Sequence, residues 1–354
     1  MTSPVTESDV LQQIVAHAIA RPLSAAESEA AFNEVMQGNA SPALASALLV
    51  ALRTRGESSA EIAGGVRALQ SAMHFVDLGA TESLLDTCGT GGGRINTFNI
   101  STAAAFVAAG AGVRIAKHGN RSFTSRSGSA DVLSALGVEI DLTPAGMQSV
   151  FSDAGIVFMF APLLHPAIRH IAPIRKALGV PTIMNVLGPL TNPARAKLQV
   201  VGVSDPALLE IVAGALLELG HVRALVVHGA PGMDEISPLG ETDIIELKNG
   251  GLERYVFDPA VELGWEPWGH EDLAGGEPTD NARIITMILA GERTGAARAA
   301  VSLNAGAAIY LAGLADSISN GVRVAEAAID DGKGTESLER LRHASAGAER
   351  RTTP

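Results

Sequence analysis

The sequence predicts an α/β protein in which a small all-helical domain is joined to a larger α/β domain with a mainly parallel central sheet. Three observations carry this. Up to about residue 75 the chain holds helical signals only; from about residue 80 short apolar runs alternate with helical stretches; and residues 162–193 break that alternation with Pro162, Pro166, Pro173, Pro181, Pro189 and Pro193.

In the first part, Ser24-Ala-Ala-Glu27 and Ser58-Ser-Ala-Glu61 each fit a capping box, and Ser41-Pro42 sets a cap before a proline at the first helical position. Leu44, Leu48, Val50 and Leu52 mark a mostly apolar helix ending near Gly56, suited either to the domain's own core or to a dimer surface. The second part offers Leu84–Cys88, Val113–Lys117, Ile156–Phe160, Leu198–Val203 and Ala224–Val227 as strands. Strands alternating with helices imply right-handed crossovers and a parallel sheet, with ligands gathering at the loops that leave the strand C-termini. The proline-punctuated pieces PAIRHIAPIRKALG and PTIMNVLGPL read as an excursion back to the helical domain. Beyond residue 278 helical patterns return, including Ala296–Leu314 and Val322–Ile329. The expected boundaries are 1–78 for the helical domain with a returning segment at about 163–193, then 79–162 and 194–345 for the α/β domain, and 346–354 as a frayed tail.

Composition narrows the function classes. The chain has 354 residues, enough for two cores, with 47% hydrophobic and 18% charged residues. Its net charge of −12 argues against a nucleic-acid surface. No apolar run reaches membrane-spanning length, and the start MTSPVTESDV lacks the basic and apolar blocks of a signal peptide. The single Cys88 excludes an internal disulfide framework and suits a reducing compartment. A cytoplasmic protein without nucleic-acid or membrane partners is expected.

Two loops carry chemistry. Asp86-Thr-Cys-Gly-Thr-Gly-Gly-Gly-Arg-Ile-Asn-Thr-Phe-Asn-Ile-Ser-Thr102 reads as strand, bare loop and helix start. Glycines let backbone N–H groups close on a ligand, and the helix N-terminus adds its dipole, so the segment suits an anion. It is neither a dinucleotide turn, because residue 94 is Arg, nor a P-loop, because no Gly-Lys-Ser or Gly-Lys-Thr follows. Thr97, Asn99, Ser101 and Thr102 exceed what one helix cap requires. The second loop, Lys117 to Ser129, gathers Lys117, Arg121 and Arg126 with His118 and many hydroxyls, again a phosphate-binding chemistry. Two such loops leaving adjacent strands point to one ligand with two phosphorylated ends.

The blocks DTCGTGGG, NTFNIST, AGVRIAKHGNRSFTSRSGSADVLSALG, HPAIRHIAPIRKALGVPTIMNVLGPLTNPA and VHGAPGMDEIS, in this order, resemble the anthranilate phosphoribosyltransferase family over most of the chain. The resemblance implies a homodimer that joins anthranilate to 5-phosphoribosyl 1-pyrophosphate in tryptophan biosynthesis, giving N-(5-phosphoribosyl)anthranilate and pyrophosphate. Carried over, Gly89, Thr90, Gly91, Gly92, Gly93, Thr97, Asn99, Ile100, Ser101 and Thr102 would hold the donor, with Lys117, His118, Gly119, Asn120, Arg121, Ser125 and Ser129 completing that site. Gly89, His118, Asn120, His165 and Arg175 would line the anthranilate path, and Ser101, Asp234 and Glu235 would contact Mg2+.

The residues themselves agree with much of this. Asp234-Glu235 follow a strand and its glycine-containing loop, where hard carboxylate oxygens suit a magnesium-bound pyrophosphate. A guanidinium fork matches a substrate carboxylate, which suits Arg175, with Arg169 as its rival. No nucleophile-base pair is evident, and His118 or solvent is the candidate for taking the amine proton. Asp330-Asp331, at the end of a helical pattern with Gly332 behind it, reads as surface charge. One departure stands out: the family usually has an acidic residue where this chain has Gly93. The alternatives are a pyrimidine nucleoside phosphorylase-like enzyme, which would use free phosphate and a nucleoside, and a noncatalytic binding member of the fold.

Overall fold

The computed structural model describes residues 7–93, 95–122, 126–266 and 268–351. Four helices open the chain: α1 (Glu7–Ala20), α2 (Ala25–Gln37), α3 (Pro42–Arg55) and α4 (Ser59–Ala72). Both expected capping boxes form, Ser24 with Glu27 and Ser58 with Glu61, and Ser41 caps α3 ahead of Pro42. Glu61 does more than cap: its carboxylate also accepts from the Leu23 amide at 2.8 Å and pairs with Arg55, which ties the starts of α2 and α4 together.

The α/β part runs β1 (Leu85–Gly89), α5 (Ile100–Gly110), β2 (Ile115–Gly119), α6 (Ser129–Ala135), α7 (Pro144–Ala154) and β3 (Ile156–Phe160). The proline-rich segment then forms α8 (Ala161–Leu164), α9 (Ala172–Leu178) and α10 (Met184–Leu190). The sheet resumes with β4 (Leu198–Gly202), α11 (Leu208–Glu218), β5 (Arg223–Gly229), β6 (Thr242–Lys248) and β7 (Gly251–Phe257). Helices α12 (Pro259–Leu263), α13 (Pro278–Leu289), α14 (Ala296–Leu311), α15 (Ile318–Asp330) and α16 (Lys333–Gly347) complete the chain.

The sheet order is β3-β2-β1-β4-β5-β6-β7, with β1 to β5 parallel and β6 and β7 antiparallel. Chain direction across the sheet reverses at β1, so the loops after β1, β2 and β5 share one edge, where such folds bind ligands. Two buried clusters hold the molecule. One packs α5, α14 and the C-terminal helices on one face of the sheet. The other fuses the helical bundle with Ile171, Ile174, Ile183, Met184 and Leu187 of the returning segment and with Val201, Leu209, Val212 and Val226 beneath it. Ser59 Oγ donates to the Ile211 carbonyl at 2.9 Å across that junction.

Two differences from the sequence reading, and the outcome of one choice it left open, have physical causes. The β6–β7 hairpin was missed, although its signal is present: Asn249 and Gly250, with φ of 53° and 73°, form the two-residue turn that twists with its strands. The tail expected to fray from residue 346 is held through Arg351. Leu142 bridges Arg350, the Thr143 amide donates to Glu349 O at 3.1 Å, the Arg351 amide donates to Asp141 O at 3.0 Å, and Arg350 pairs with Glu139 at 3.0 Å. Backbone groups that find partners in this way have no reason to fray. Finally, Leu48 and Leu52 are fully buried in the bundle's own core, leaving only Val50 of α3 as an exposed large apolar residue. Asp330-Asp331 ends α15 at the surface, and Asp330 pairs with Arg298 at 2.7 Å.

Candidate active site

The glycine loop after β1 closes over the acidic pair. The Gly91 amide donates to Asp234 Oδ2 at 2.8 Å, and the Ser101 amide, in the first turn of α5, donates to Glu235 Oε1 at 3.3 Å. This approach requires bare backbone: a Cβ on Gly89 would overlap Asp234 Oδ2, and one on Gly202 would overlap the Asp234 carbonyl. Burial raises both carboxyls above their usual range, Glu235 further because Asp234 lies beside it. Neither forms an ion pair among the described residues, where no group of three or more His, Cys, Asp or Glu is arranged to hold a metal ion. At Gly93, where an acidic residue was expected, a Cβ would lie 3.4 Å from Asp234 Oδ1.

Other donor-loop residues divide by accessibility. Asn99 links both loops and α13: it donates to Ser127 O at 3.1 Å and accepts from Ser127 Oγ at 3.1 Å and from Asn281 Nδ2 at 2.9 Å. Thr97 pairs with Ala274 in an isolated bridge. Gly92 and Thr90 stand at the loop surface near Ser204, whose amide donates to Thr90 Oγ1 at 3.2 Å. The side chains of Ile100 and Thr102 are buried, and their amides donate to Phe98 O at 2.7 Å and Asn99 O at 3.2 Å, so neither offers a free amide to the cleft. Lys117 is buried too: its ammonium donates to Thr87 O at 2.5 Å, Thr87 Oγ1 at 3.2 Å and Ser101 Oγ at 3.5 Å, beneath the loop rather than in the open. Arg121 pairs with Asp131 at 2.8 Å and lies over the Phe160 ring. Ser129 Oγ donates to Asn120 O at 3.3 Å and packs against Gly119. Ser125 and Arg94 lie outside the described residues.

Beside this edge opens a pocket of about 390 Å3 whose lining includes His118 and Asn120 from the β2 loop, and His165, Arg169 and Arg175 from the returning segment. Leu69 and Met184 give it apolar walls. The Arg175 side chain is half-buried, its guanidinium has no hydrogen-bond or ion-pair partner among the described residues, and it is shifted down by desolvation alone. Arg169 is exposed and donates to His170 at 3.3 Å. Sequence reasoning assigns the carboxylate to Arg175 with Arg169 as its rival; it does not mark Leu69, Met184, Thr191 or Ala161 as pocket residues, because apolar and small side chains carry no chemical signature.

His118 and His165 meet at 3.2 Å, Nε2 to Nε2, with ring centroids 5.0 Å apart. Burial lowers both: His165 falls to about 4, and His118 falls well below its usual value, pushed further by His165 and Lys117. Both imidazoles are therefore neutral near pH 7. The unfolded chain protonates its histidines near pH 6.5, before the folded one does, so stability is full above that pH and declines as pH falls toward about 4. His165→Gln is expected to flatten this decline by on the order of 3 kcal/mol, read as the difference in thermal midpoint against pH. Identical profiles for the two proteins would contradict a neutral, buried His165.

Comparison with known proteins agrees with this geometry. A family model described as "Glycosyl transferase family, a/b domain" matches residues 81–335, and "Glycosyl transferase family, helical bundle domain" matches residues 8–73. The chain is 51% identical to the anthranilate phosphoribosyltransferase of Rubrobacter xylanophilus over 324 residues, covering 92% of this chain and 94% of that one. It is 48% identical to that of Thermomicrobium roseum over 336 residues, covering 94% and 95%. The crystal structure of the Thermus thermophilus enzyme superimposes with a TM-score of 0.89 at 42% identity, covering 94% of this chain and 99% of that one. The Saccharomyces cerevisiae enzyme in complex with PRPP and Mg gives 0.85 at 28% identity, covering 95% and 98%.

Proposed function

The chain belongs to the anthranilate phosphoribosyltransferase family, and we propose from that premise that its cleft moves the 5-phosphoribosyl group of 5-phosphoribosyl 1-pyrophosphate onto the amine of anthranilate, releasing pyrophosphate. One observation supports the acceptor best: Arg175, a half-buried guanidinium without a partner among the described residues, lines a pocket beside the two anion-type loops. Leu69 and Met184 offer apolar surface to an aromatic ring, whose carboxylate would supply the anion that Arg175 lacks.

On the donor side, the glycine loop and the start of α5 suit the pyrophosphate once the Gly91 and Ser101 amides exchange Asp234 and Glu235 for it, and the loop from His118 to Ser129 suits the rest of the donor. Ser101, Asp234 and Glu235 would hold Mg2+, which when bound neutralises the leaving pyrophosphate. Two buried carboxylates without an ion pair fit that ion, since Mg2+ binds through one or two carboxylates plus substrate phosphates. In the transfer the C1–oxygen bond to pyrophosphate breaks, a C1–nitrogen bond forms, and the amine proton leaves to solvent or to the neutral His118. With a good leaving group, the protein's contribution is orientation and charge stabilisation.

The test is formation of fluorescent phosphoribosyl-anthranilate from both substrates with Mg2+. Phosphorolysis of thymidine or uridine without anthranilate turnover would replace this reading by the phosphorylase one. Cytoplasmic residence belongs to the same proposal, supported by the single Cys88; among the described residues no helix is long and apolar enough to cross a membrane. So does a homodimer. Val10 and Ile19 of α1 and Val50 of α3 leave apolar side chains exposed on neighbouring helices, which a second copy would cover. Sedimentation velocity at micromolar concentration is expected to give a dimer; a monomer would reject it.

A further inference from the structure

Strand β1 pairs with β4 at five positions and β2 pairs with β3 at five, but β1 and β2 pair only at Leu85↔Ile115. Beyond that point side chains replace the backbone ladder. The His118 amide donates to Asp86 Oδ1 at 3.2 Å, and Lys117 Nζ reaches back to Thr87 O. Between the strands sits Asn192, from the end of the returning segment. Its Nδ2 donates both to Asp86 Oδ2 and to Ala116 O, each at 2.8 Å, and its Oδ1 accepts from the Ala194 amide at 2.9 Å. Asp86 is fully buried and Asn192 is 4% exposed, so neither carries its bonds in water. Both N–H groups of that amide and one lone pair of its oxygen are matched to a strand, a carboxylate or the segment itself, and a buried amide so matched has one orientation.

This junction has a geometric consequence. The acceptor pocket has two walls from distant parts of the chain: His118 and Asn120 at the end of β2, and His165, Arg175 and Thr191 on the returning segment. Asn192 follows Thr191 directly and is bonded to the residue before Lys117 and to the carboxylate that holds the His118 amide. We propose that Asn192 is a positioning residue for the acceptor: by bridging the opened β1–β2 seam it sets the spacing between the two walls of the pocket. The inference rests on the reading of that pocket as the anthranilate site.

The experiment is steady-state kinetics on full-length Asn192→Ala with both substrates varied, together with donor binding measured by calorimetry without acceptor. Displacing a bound reactant by about 1 Å costs up to about 100-fold, so kcat/KM for anthranilate is expected to fall roughly 10- to 100-fold. The donor KM and its calorimetric Kd are expected to change less, by at most about threefold, because Asn192 touches no residue of the glycine loop and only the His118 loop is shared between the two substrates. Equal losses for both substrates, or no loss, overturn the proposal.

Should Asn192→Ala fail to fold, Asn192→Asp and the swap Asp86→Asn/Asn192→Asp decide it. The single variant sets two carboxylates against each other, and the swap restores a donor between positions 86 and 192. Recovery of anthranilate kcat/KM by about tenfold or more in the swap supports positioning. Recovery of the thermal midpoint without recovery of anthranilate use makes Asn192 a folding element only and overturns it. A wild-type protein that binds the donor but never consumes anthranilate removes the pocket reading and this inference together, whereas an active wild type with an unaffected Asn192→Ala removes the inference alone.

Discussion

Arg175→Ala is expected to lower kcat/KM for anthranilate by about 30-fold or more while leaving the donor KM within about threefold, as a lost partner in a desolvated charge pair costs roughly 2–5 kcal/mol. The fold has already placed this guanidinium partly out of water with no counter-charge among the described residues, and burial has shifted it down. A substrate carboxylate would offset that cost, so the binding energy is concentrated on one contact. Arg175→Lys keeps the charge but loses the planar two-pronged geometry, and should fall between wild type and alanine. Arg169, exposed and bonded to His170, should tolerate alanine with little change. If instead Arg169→Ala gives the larger loss and Arg175→Ala is silent, the carboxylate belongs at Arg169.

What the sequence made legible follows from how locally each signal is encoded. Capping boxes at Ser24 and Ser58 work through residues three apart, and both formed as read. Strands β1 to β5 are short apolar runs between helices, found within a few residues. The β6–β7 hairpin was overlooked because its outer strand keeps polar residues such as Glu253 and Arg254 exposed, which hides it from a search for apolar runs. At the site, charged and glycine-rich loops announced themselves, and the structure brings Gly89, Gly91, Ser101, Asp234 and Glu235 together across more than a hundred residues of chain. Lys117, read as the start of the second loop, lies inside β2 with its ammonium beneath the glycine loop, because its direction depends on Thr87 and Ser101, which no local pattern reports. Asn192 and Asp86 were invisible for the same reason: an amide in a proline-rich segment gives no sign that it will end between two strands.

The glycines under the acidic pair yield the sharpest steric test. Gly202 lies in β4 between Gly89 of β1 and Val227 of β5, and the backbone of Asp234 passes directly above it. Gly202→Ala would drive a methyl into the Asp234 carbonyl, a backbone atom that cannot rotate aside, so Asp234 and Glu235 must both move away from the glycine loop. Magnesium-dependent turnover is expected to fall by on the order of 100-fold or more, the scale of misplacing a reacting group by about 1 Å. Gly89→Ala meets mainly the Asp234 carboxylate, which can swing; it should break the Gly91 amide bond at 2.8 Å, weaken the response to magnesium and retain more turnover than the Gly202 variant. Gly91→Ala separates space from conformation, because at φ +70° nothing lies within 4 Å of the added methyl, so its cost is backbone strain of about 1–2 kcal/mol. Thermal midpoints together with kcat across a magnesium titration distinguish the three. A folded Gly202→Ala protein with the wild-type kcat and magnesium profile would mean that the position of the Asp234 backbone does not govern the chemistry, and would remove the acidic pair from the donor site.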